Sequence, residues 1–338
     1  MYKIAIVAYE TNPAVCSSMM MHVDMMADCG HEIIMFLQNK IDKSIFRNYS
    51  YKTAIFDKPY ELSDLFQRYN IEKIWCTNVM YVLRLIRITK LPIYLWKQGD
   101  AAAESYMTHH SYLRKWVLQM IDAYSLRKVA GVIYVSDAMK DYYENKYSVR
   151  TKSIVVPCLS EFANTKIEKA GRIPDSFVYI GGLSIWQCFD EILSLYAKIR
   201  TEQSVFHIIT LKTEEAHKKV LKIIGDDRNI KIYGITDRTQ IPAILNKFQY
   251  GFLIRRNDVV NQVAAPIKFL EYLSCGVNVI MTDAVPSYAK LVRENNVGTV
   301  VDINAEHIVI HSFNPYAKEV YKRYFSRNTY VEEYKKLL

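Results

Sequence analysis

This 338-residue chain lacks the marks of several large protein classes. No apolar run reaches the roughly 18 residues of a membrane-crossing helix, and the opening Met-Tyr-Lys-Ile-Ala-Ile-Val-Ala has neither the charged start nor the cleavage region of a signal peptide. The expected location is therefore the cytoplasm. Six cysteines, at 16, 29, 76, 158, 188 and 275, form no Cys-x-x-Cys pair and no Cys/His cluster, so neither a zinc site nor a disulfide framework is supported and buried thiols are expected. No Gly-x-Gly-x-x-Gly follows the first candidate strand, which runs instead into Tyr9-Glu-Thr-Asn-Pro13, and this disfavours a nicotinamide dehydrogenase. No long repeat or low-complexity tract is present.

What is present is 50% hydrophobic residues in a chain long enough for two domains with sizeable cores. Apolar runs of strand length alternate with helical patterns, an order that favours parallel sheets. Strands are expected at 3–8, 33–37, 53–56, 71–76, 92–96, 131–136 and 153–157. Residues 159–174 are polar, hold Asn, Gly and Pro and lack periodicity, which places a linker there between domains at 1–160 and 171–310. The second domain is expected to hold strands at 177–180, 204–210, 230–233, 250–254, 277–281 and 298–301. The tail 315–338 reads as helical, basic and rich in tyrosine.

The net charge of +9 is not spread evenly. Residues 78–128 hold eight Lys/Arg against three Asp/Glu, whereas 1–165 as a whole has twenty against sixteen. Arg84 and Arg87 share a face among aliphatics, and Tyr112, Trp116 and Tyr124 interleave with Arg114, Lys115, Arg127 and Lys128. Such a surface suits an anionic membrane face; two amphipathic core helices with solvated basic sides give the same pattern. No nucleic-acid motif accompanies the charge, so nucleic acid is not expected as a partner.

The most informative stretch is Ala265-Pro-Ile-Lys-Phe-Leu-Glu-Tyr-Leu-Ser-Cys-Gly276. Pro266 suits the first helical position and Gly276 the left-handed stop, which predicts about three turns. Ile267, Leu270 and Leu273 make a buried stripe, while Lys268 and Glu271 share another face. A helix amino end carries free amide hydrogens and partial positive charge, so Lys268 in the first turn can add to a phosphate site, and Glu271 one turn deeper can accept hydrogen bonds from a sugar diol. The alternative is a solvated Lys–Glu pair worth a few tenths of a kcal/mol.

Pro-Ile-Lys-x-x-Glu-Tyr-Leu-x-x-Gly-Val-x-Val-Ile resembles the donor-site signature of GT-B glycosyltransferases, in particular the family-four, glycogen-synthase-like retaining group. The likeness is clear over about 171–302 and weaker over 1–160, where mainly the strand order, Gly30-His-Glu and Tyr134-Val-Ser136 carry it. It implies an α/β GT-B fold, two Rossmann-like doubly wound domains facing across a cleft, with the tail helix 315–338 crossing back onto the first. It also implies transfer of a sugar from a nucleoside diphosphate sugar, uridine-linked, to a carbohydrate or lipid-linked glycan hydroxyl. Retention of configuration, surface polysaccharide assembly and no metal or other cofactor follow in the same way, and no Asp-x-Asp metal motif occurs here. By resemblance Glu271 binds the nucleotide ribose, and the helix start at Pro266 and Ile267 with Lys268 holds the diphosphate. Two positions depart from the pattern. Val263 stands where a second glutamate is usual, and Gly182 and Gln187 stand at usually basic places.

Other residues complete the expected site. Gly181 and Gly182 form either a phosphate-approaching turn or a plain strand-to-helix turn. Arg255 and Arg256 follow a strand and can supply the missing cations, a solvated strand end being the alternative. Tyr233, Gly234 and Ile235 resemble the nucleobase wall. On the acceptor side Trp96-Lys-Gln-Gly99-Asp100 follows a strand, with Asp100 and Glu104 as candidate catalytic carboxylates; Asp100 serves equally well as a helix N-cap. Asn12 and Pro13, in the first strand–helix loop, border the same acceptor region. A noncatalytic sugar-nucleotide-binding partner subunit remains the competing functional class, because two usual phosphate contacts are replaced.

Overall fold

A computed structural model describes residues 1–8, 13–41, 46, 50–164 and 171–338. The chain divides into two compact units, Met1–Leu159 with Val263–Ala265 and Ser326–Leu338, and Ser160–Gln262 with Pro266–Phe325.

In the first unit the order is β1 (Lys3–Ala8), α1 (Pro13–Asp28), β2 (Glu32–Gln38), β3 (Lys52–Phe56), α2 (Leu62–Arg68), β4 (Lys73–Cys76) and α3 (Val79–Ile88). β5 (Ile93–Lys97), α4 (Ala101–His109), α5 (Tyr112–Lys128), β6 (Gly131–Tyr134), α6 (Asp137–Tyr147) and β7 (Ser153–Val155) follow. The described strands pair in parallel in the order β3-β2-β1-β4-β5-β6-β7. β4, β5 and β6 are buried along their whole length, as a sheet covered by helices on both faces requires. Side chains start the helices: Asn78, Asp100, Ser111 and Ser136 each accept a backbone N–H in the first turn of α3, α4, α5 and α6.

The second unit holds β8 (Ser176–Ile180), α7 (Phe189–Ile199), β9 (Val205–Ile209), α8 (Thr213–Ile223), β10 (Ile230–Tyr233), α9 (Ile241–Leu245) and β11 (Tyr250–Leu253). After these come α10 (Val259–Gln262), α11 (Ile267–Ser274), β12 (Asn278–Met281), α12 (Pro286–Asn295), β13 (Gly298–Val300) and α13 (Ala317–Tyr324). The sheet is again parallel, in the order β10-β9-β8-β11-β12-β13. Phe177, Phe206 and Phe252 meet at ring-centroid distances of 5.3–5.6 Å, Phe177 stacking on Phe252, and with Ile192, Leu193 and Ile280 they form the core. In both units the strand order reverses beside the first strand, at β1/β4 and at β8/β11, the switch point where open α/β sheets take ligands.

Three local expectations are revised. The polar stretch 159–174 is not all linker, since Glu161–Asn164 forms a 3-10 turn within the second unit. The tail is two helices: α13 packs on α11 in the second unit, whereas α14 (Arg327–Leu337) packs on α1 in the first. There Tyr334 of α14 meets the buried His22 of α1 at 2.7 Å, and burial pushes that imidazole down to about 3. Finally, α11 spans eight residues rather than three turns, with Pro266 as the residue before the helix because its ψ of 116° is extended. Gly276 does adopt the expected left-handed backbone, φ 72°.

Candidate functional site

α11 is buried on every side. Lys268, Phe269, Leu270, Glu271, Tyr272, Leu273 and Ser274 are all buried, so the solvated Lys–Glu pair does not exist. The two charges point to different partners. Lys268 Nζ donates to Gln187 Oε1 at 2.7 Å and lies 4.2 Å from the centre of the Tyr179 ring. Burial, and then the neighbouring Arg255, holds Lys268 well below the usual lysine range. Glu271, 3% exposed, instead takes Arg238 Nη2 on its Oε1.

The turn after β8 is shaped around that lysine. Gly181 has φ 140°, and a Cβ there would stand 2.9 Å from Lys268 Nζ, so the absence of a side chain leaves the room the ammonium occupies. Gly182 is free of neighbours at its Cβ position, and its carbonyl takes the Tyr179 hydroxyl. Arg255, just past β11 and 6% exposed, donates from Nη1 to the Trp186 carbonyl at 2.6 Å, and burial lowers its pKa. Arg256 does not join this group: its guanidinium, mostly exposed, pairs with Glu191 of α7. Pro266 and Ile267 are half-buried at a helix start that no side chain caps.

Further along the edge, Tyr233 ends β10 with its hydroxyl 3.0 Å from His207 Nδ1. Gly234 lies against Thr210 and Leu211, and the exposed Leu211 and half-buried Ile235 leave an apolar surface. Val263, where a second glutamate was the usual residue, is buried, and its carbonyl accepts from Ser136 Oγ at 2.6 Å.

In the first unit the loop after β5 forms a second polar cluster. Asp100 is an N-cap: Oδ1 accepts from the amides of Ala102 and Ala103 at 3.0 Å each, and Oδ2 accepts from the Tyr142 hydroxyl at 2.8 Å. With both oxygens engaged and 1% exposure, it holds the start of α4. Glu104 differs. Desolvation raises its carboxyl to about 7, against the opposing pull of Lys97. Gly99 makes space for it, since a Cβ there would fall 2.5 Å from Glu104 Oε1. Beneath lies a buried ion pair, Lys97 Nζ to Asp122 Oδ1 at 2.6 Å. Pro13 opens α1, and Asn12 lies outside the described residues.

Of the two basic helices, α3 is an amphipathic core helix, burying Val79, Tyr81, Val82 and Leu85 with Arg84 and Arg87 exposed, whereas α5 departs from that pattern. Tyr112, Leu113, Trp116, Met120 and Tyr124 of α5 are 48–72% exposed. Beside α3, Trp116, Met120 and Tyr124 bound a groove of about 610 Å³ that includes Leu83, Ile86, Arg87 and Lys128. No helix among the described residues is long and apolar enough to cross a membrane.

Residues 164–313 match the family of glycosyl transferases group 1. The chain has the GT-B fold, and the match to a glycosyltransferase family lies in its second unit. No curated protein matches it by sequence. Among solved structures it is similar to sucrose-phosphate synthase from Thermosynechococcus elongatus, at 13% identity and a TM-score of 0.68 over 100% of this chain and 98% of the other. Anabaena HepE in complex with UDP-glucose gives 11% and 0.68 over 100% of both chains. S. aureus TarM in complex with fondaparinux, alpha-GlcNAc-glycerol and UDP gives 10% and 0.71, over 100% of this chain and 99% of that one. At such identities the likeness speaks to the fold.

In this GT-B chain the structure brings Gly181, Gly182, Arg255, Lys268 and Gln187 together at the β8/β11 edge. Sequence reasoning did not single out Arg238. It sits in the 3-10 turn Arg238–Gln240, five residues past Tyr233, where a lone arginine in a polar loop carries no periodic signal. Its placement beside Glu271 comes only from the tertiary fold.

Proposed function

We propose that the protein moves a glycosyl group from a uridine diphosphate sugar to a hydroxyl of a carbohydrate or lipid-linked glycan, with retention, in surface polysaccharide assembly. One observation carries the donor half of this reading. Two buried cations, Lys268 and Arg255, are held by neutral acceptors, Gln187 Oε1 and the Trp186 carbonyl, beside an uncapped helix start. An unneutralised positive site of this kind suits a diphosphate. Glu271 is the carboxylate for the ribose diol, and the half-exposed Tyr233-Gly-Ile235 segment is the wall for a base. The UDP-glucose bound by HepE and the UDP bound by TarM are consistent with this donor class.

In the reaction the bond from the anomeric carbon to the β-phosphate oxygen breaks, and a bond from that carbon to the acceptor oxygen forms. The acceptor proton passes to the departing diphosphate. Charge builds on the leaving phosphate, and Lys268, Arg255 and the α11 amides stabilise it in a desolvated setting, so no metal is required. Glu104, in the first turn of α4 and raised to about 7, is the group offered to the acceptor hydroxyl, able both to give and to take a hydrogen bond near neutrality. Asp100 fixes the helix that carries it. Transfer or hydrolysis of a UDP-sugar by the purified chain, unaffected by a chelator and lost in Glu271→Ala, tests this reading. Tight UDP binding with no turnover on any glycan acceptor would favour the noncatalytic partner subunit instead.

We also place the enzyme on the inner, anionic face of a membrane. Exposed Leu113, Trp116 and Met120 offer apolar insertion, while Arg87, Arg114, Lys115 and Lys128 around them match anionic headgroups in charge. Sedimentation with phosphatidylglycerol vesicles, weakened by salt and by Trp116→Ala, is expected. Equal recovery with phosphatidylcholine vesicles, or dimerisation through this face, would remove the membrane assignment.

A further inference from the structure

We propose that Arg238 is a positioning residue for nucleotide recognition: it fixes the Glu271 carboxylate so that one oxygen faces the protein and the other is left for the ribose diol. This rests on the donor-site reading above. Arg238 is anchored on three sides. Its Nη2 binds Glu271 Oε1, its Nε donates to Glu161 Oε1 at 2.9 Å, and its guanidinium lies 5.3 Å from the centre of the Phe162 ring. The anchors are themselves tied down. Ser160 Oγ meets Ser274 Oγ of α11 at 3.0 Å and accepts the Phe162 amide at 3.1 Å, so the Glu161 turn is pinned to the same helix that carries Glu271. On the other flank Asp237 Oδ1 accepts the Thr239 amide at 3.0 Å and shapes the turn in which Arg238 sits.

The consequence is geometric and electrostatic. A glutamate side chain has three rotatable bonds, and a guanidinium that bonds Oε1 through Nη2 while Nε holds Glu161 removes much of that freedom, so less is lost when a diol arrives. Among the described residues Oε1 is the only oxygen of Glu271 with a hydrogen-bond donor, which leaves Oε2 as the acceptor. Two carboxylates share one arginine, so the cluster keeps a net negative charge suited to hydroxyl donors. Arg238 also follows Tyr233-Gly-Ile235 in one segment, so the same contact ties the base wall to the ribose carboxylate.

The test is the affinity of uridine diphosphate and of its 2′,3′-dideoxy analogue for the whole chain, by calorimetry. The wild type is expected to prefer uridine diphosphate. Arg238→Gln is expected to weaken uridine diphosphate about tenfold and the dideoxy analogue less than about twofold, because loss of one charge-assisted contact acts only through the ribose. In a Glu271→Gln background the same substitution should add nothing. Arg238→Lys, which keeps the charge without the fork, should fall between, and it serves if Arg238→Gln does not fold. Equal weakening of both nucleotides, or none of either, would overturn the positioning role. A wild type that binds no uridine diphosphate would overturn the donor reading itself.

Discussion

Lys268 and Lys97 are both buried ammonium groups near the ends of strands, and they are held in opposite ways. Lys97 in the first unit meets the carboxylate of Asp122 at 2.6 Å. Lys268 in the second unit meets a neutral amide oxygen, and among its charged neighbours the cation Arg255 outweighs the more weakly acting Glu271 carboxylate. A neutralised buried lysine belongs to the architecture. A buried lysine without a bonded counter-charge costs stability, and that cost is offset when an anion binds. The contrast separates a structural cluster from a binding site more clearly than residue type does.

The largest expected effect is on the structural side. Lys97→Met leaves Asp122 buried without its partner and should destabilise the fold by about 3–5 kcal/mol, read by urea unfolding. Lys268→Met should do the reverse, holding or raising stability while weakening uridine diphosphate by about a hundredfold, roughly 3 kcal/mol. Destabilisation of both variants alike would erase the distinction. Because burial and Arg255 hold Lys268 below the usual lysine range, diphosphate binding should raise it, drawing a proton onto it at any pH where the free site is partly deprotonated. Heats measured in two buffers of different ionisation enthalpy report that uptake, and affinity should decline with pH earlier than a solvated lysine would dictate.

Glu104→Gln is intermediate. The carboxyl moves from 4.5 to about 7 on folding, so between those values the folded chain holds a proton that the unfolded chain has released. Its stabilising contribution is complete below 4.5 and is lost as pH rises through 7. The glutamine variant should therefore be more stable than wild type above pH 7, by on the order of 3 kcal/mol, with the difference vanishing below 4.5. Its turnover should fall with uridine diphosphate affinity intact. The smallest effect belongs to Arg256→Ala. Its exposed pair with Glu191 is worth no more than about 0.5 kcal/mol, and nucleotide affinity should change less than about threefold.

Much of the architecture was open to direct reading. The strand positions of both sheets, the Gly276 stop and the helix carrying Lys268 and Glu271 follow from runs and punctuation a few residues long. Asp100 stayed ambiguous because an N-cap and a catalytic carboxylate look alike until the partners of both oxygens are known. The burial of α11 on its polar face was equally invisible, since α13, which packs on it, lies more than forty residues downstream. Exposure of Trp116 and its neighbours likewise depended on what does not cover α5.

Sequence alone determined the alternating α/β order, the two-unit scale and the Pro-Ile-Lys-x-x-Glu helix, because periodicity, turn chemistry and end signals act over one or two turns of chain. Tertiary structure decided which charges meet. Gln187 reaches Lys268 across 81 positions and Arg238 reaches Glu271 across 33, pairings set by which loops the strand order gathers at one sheet edge. Electrostatics inside a fold depends on distance and burial, and neither is a property of the linear chain.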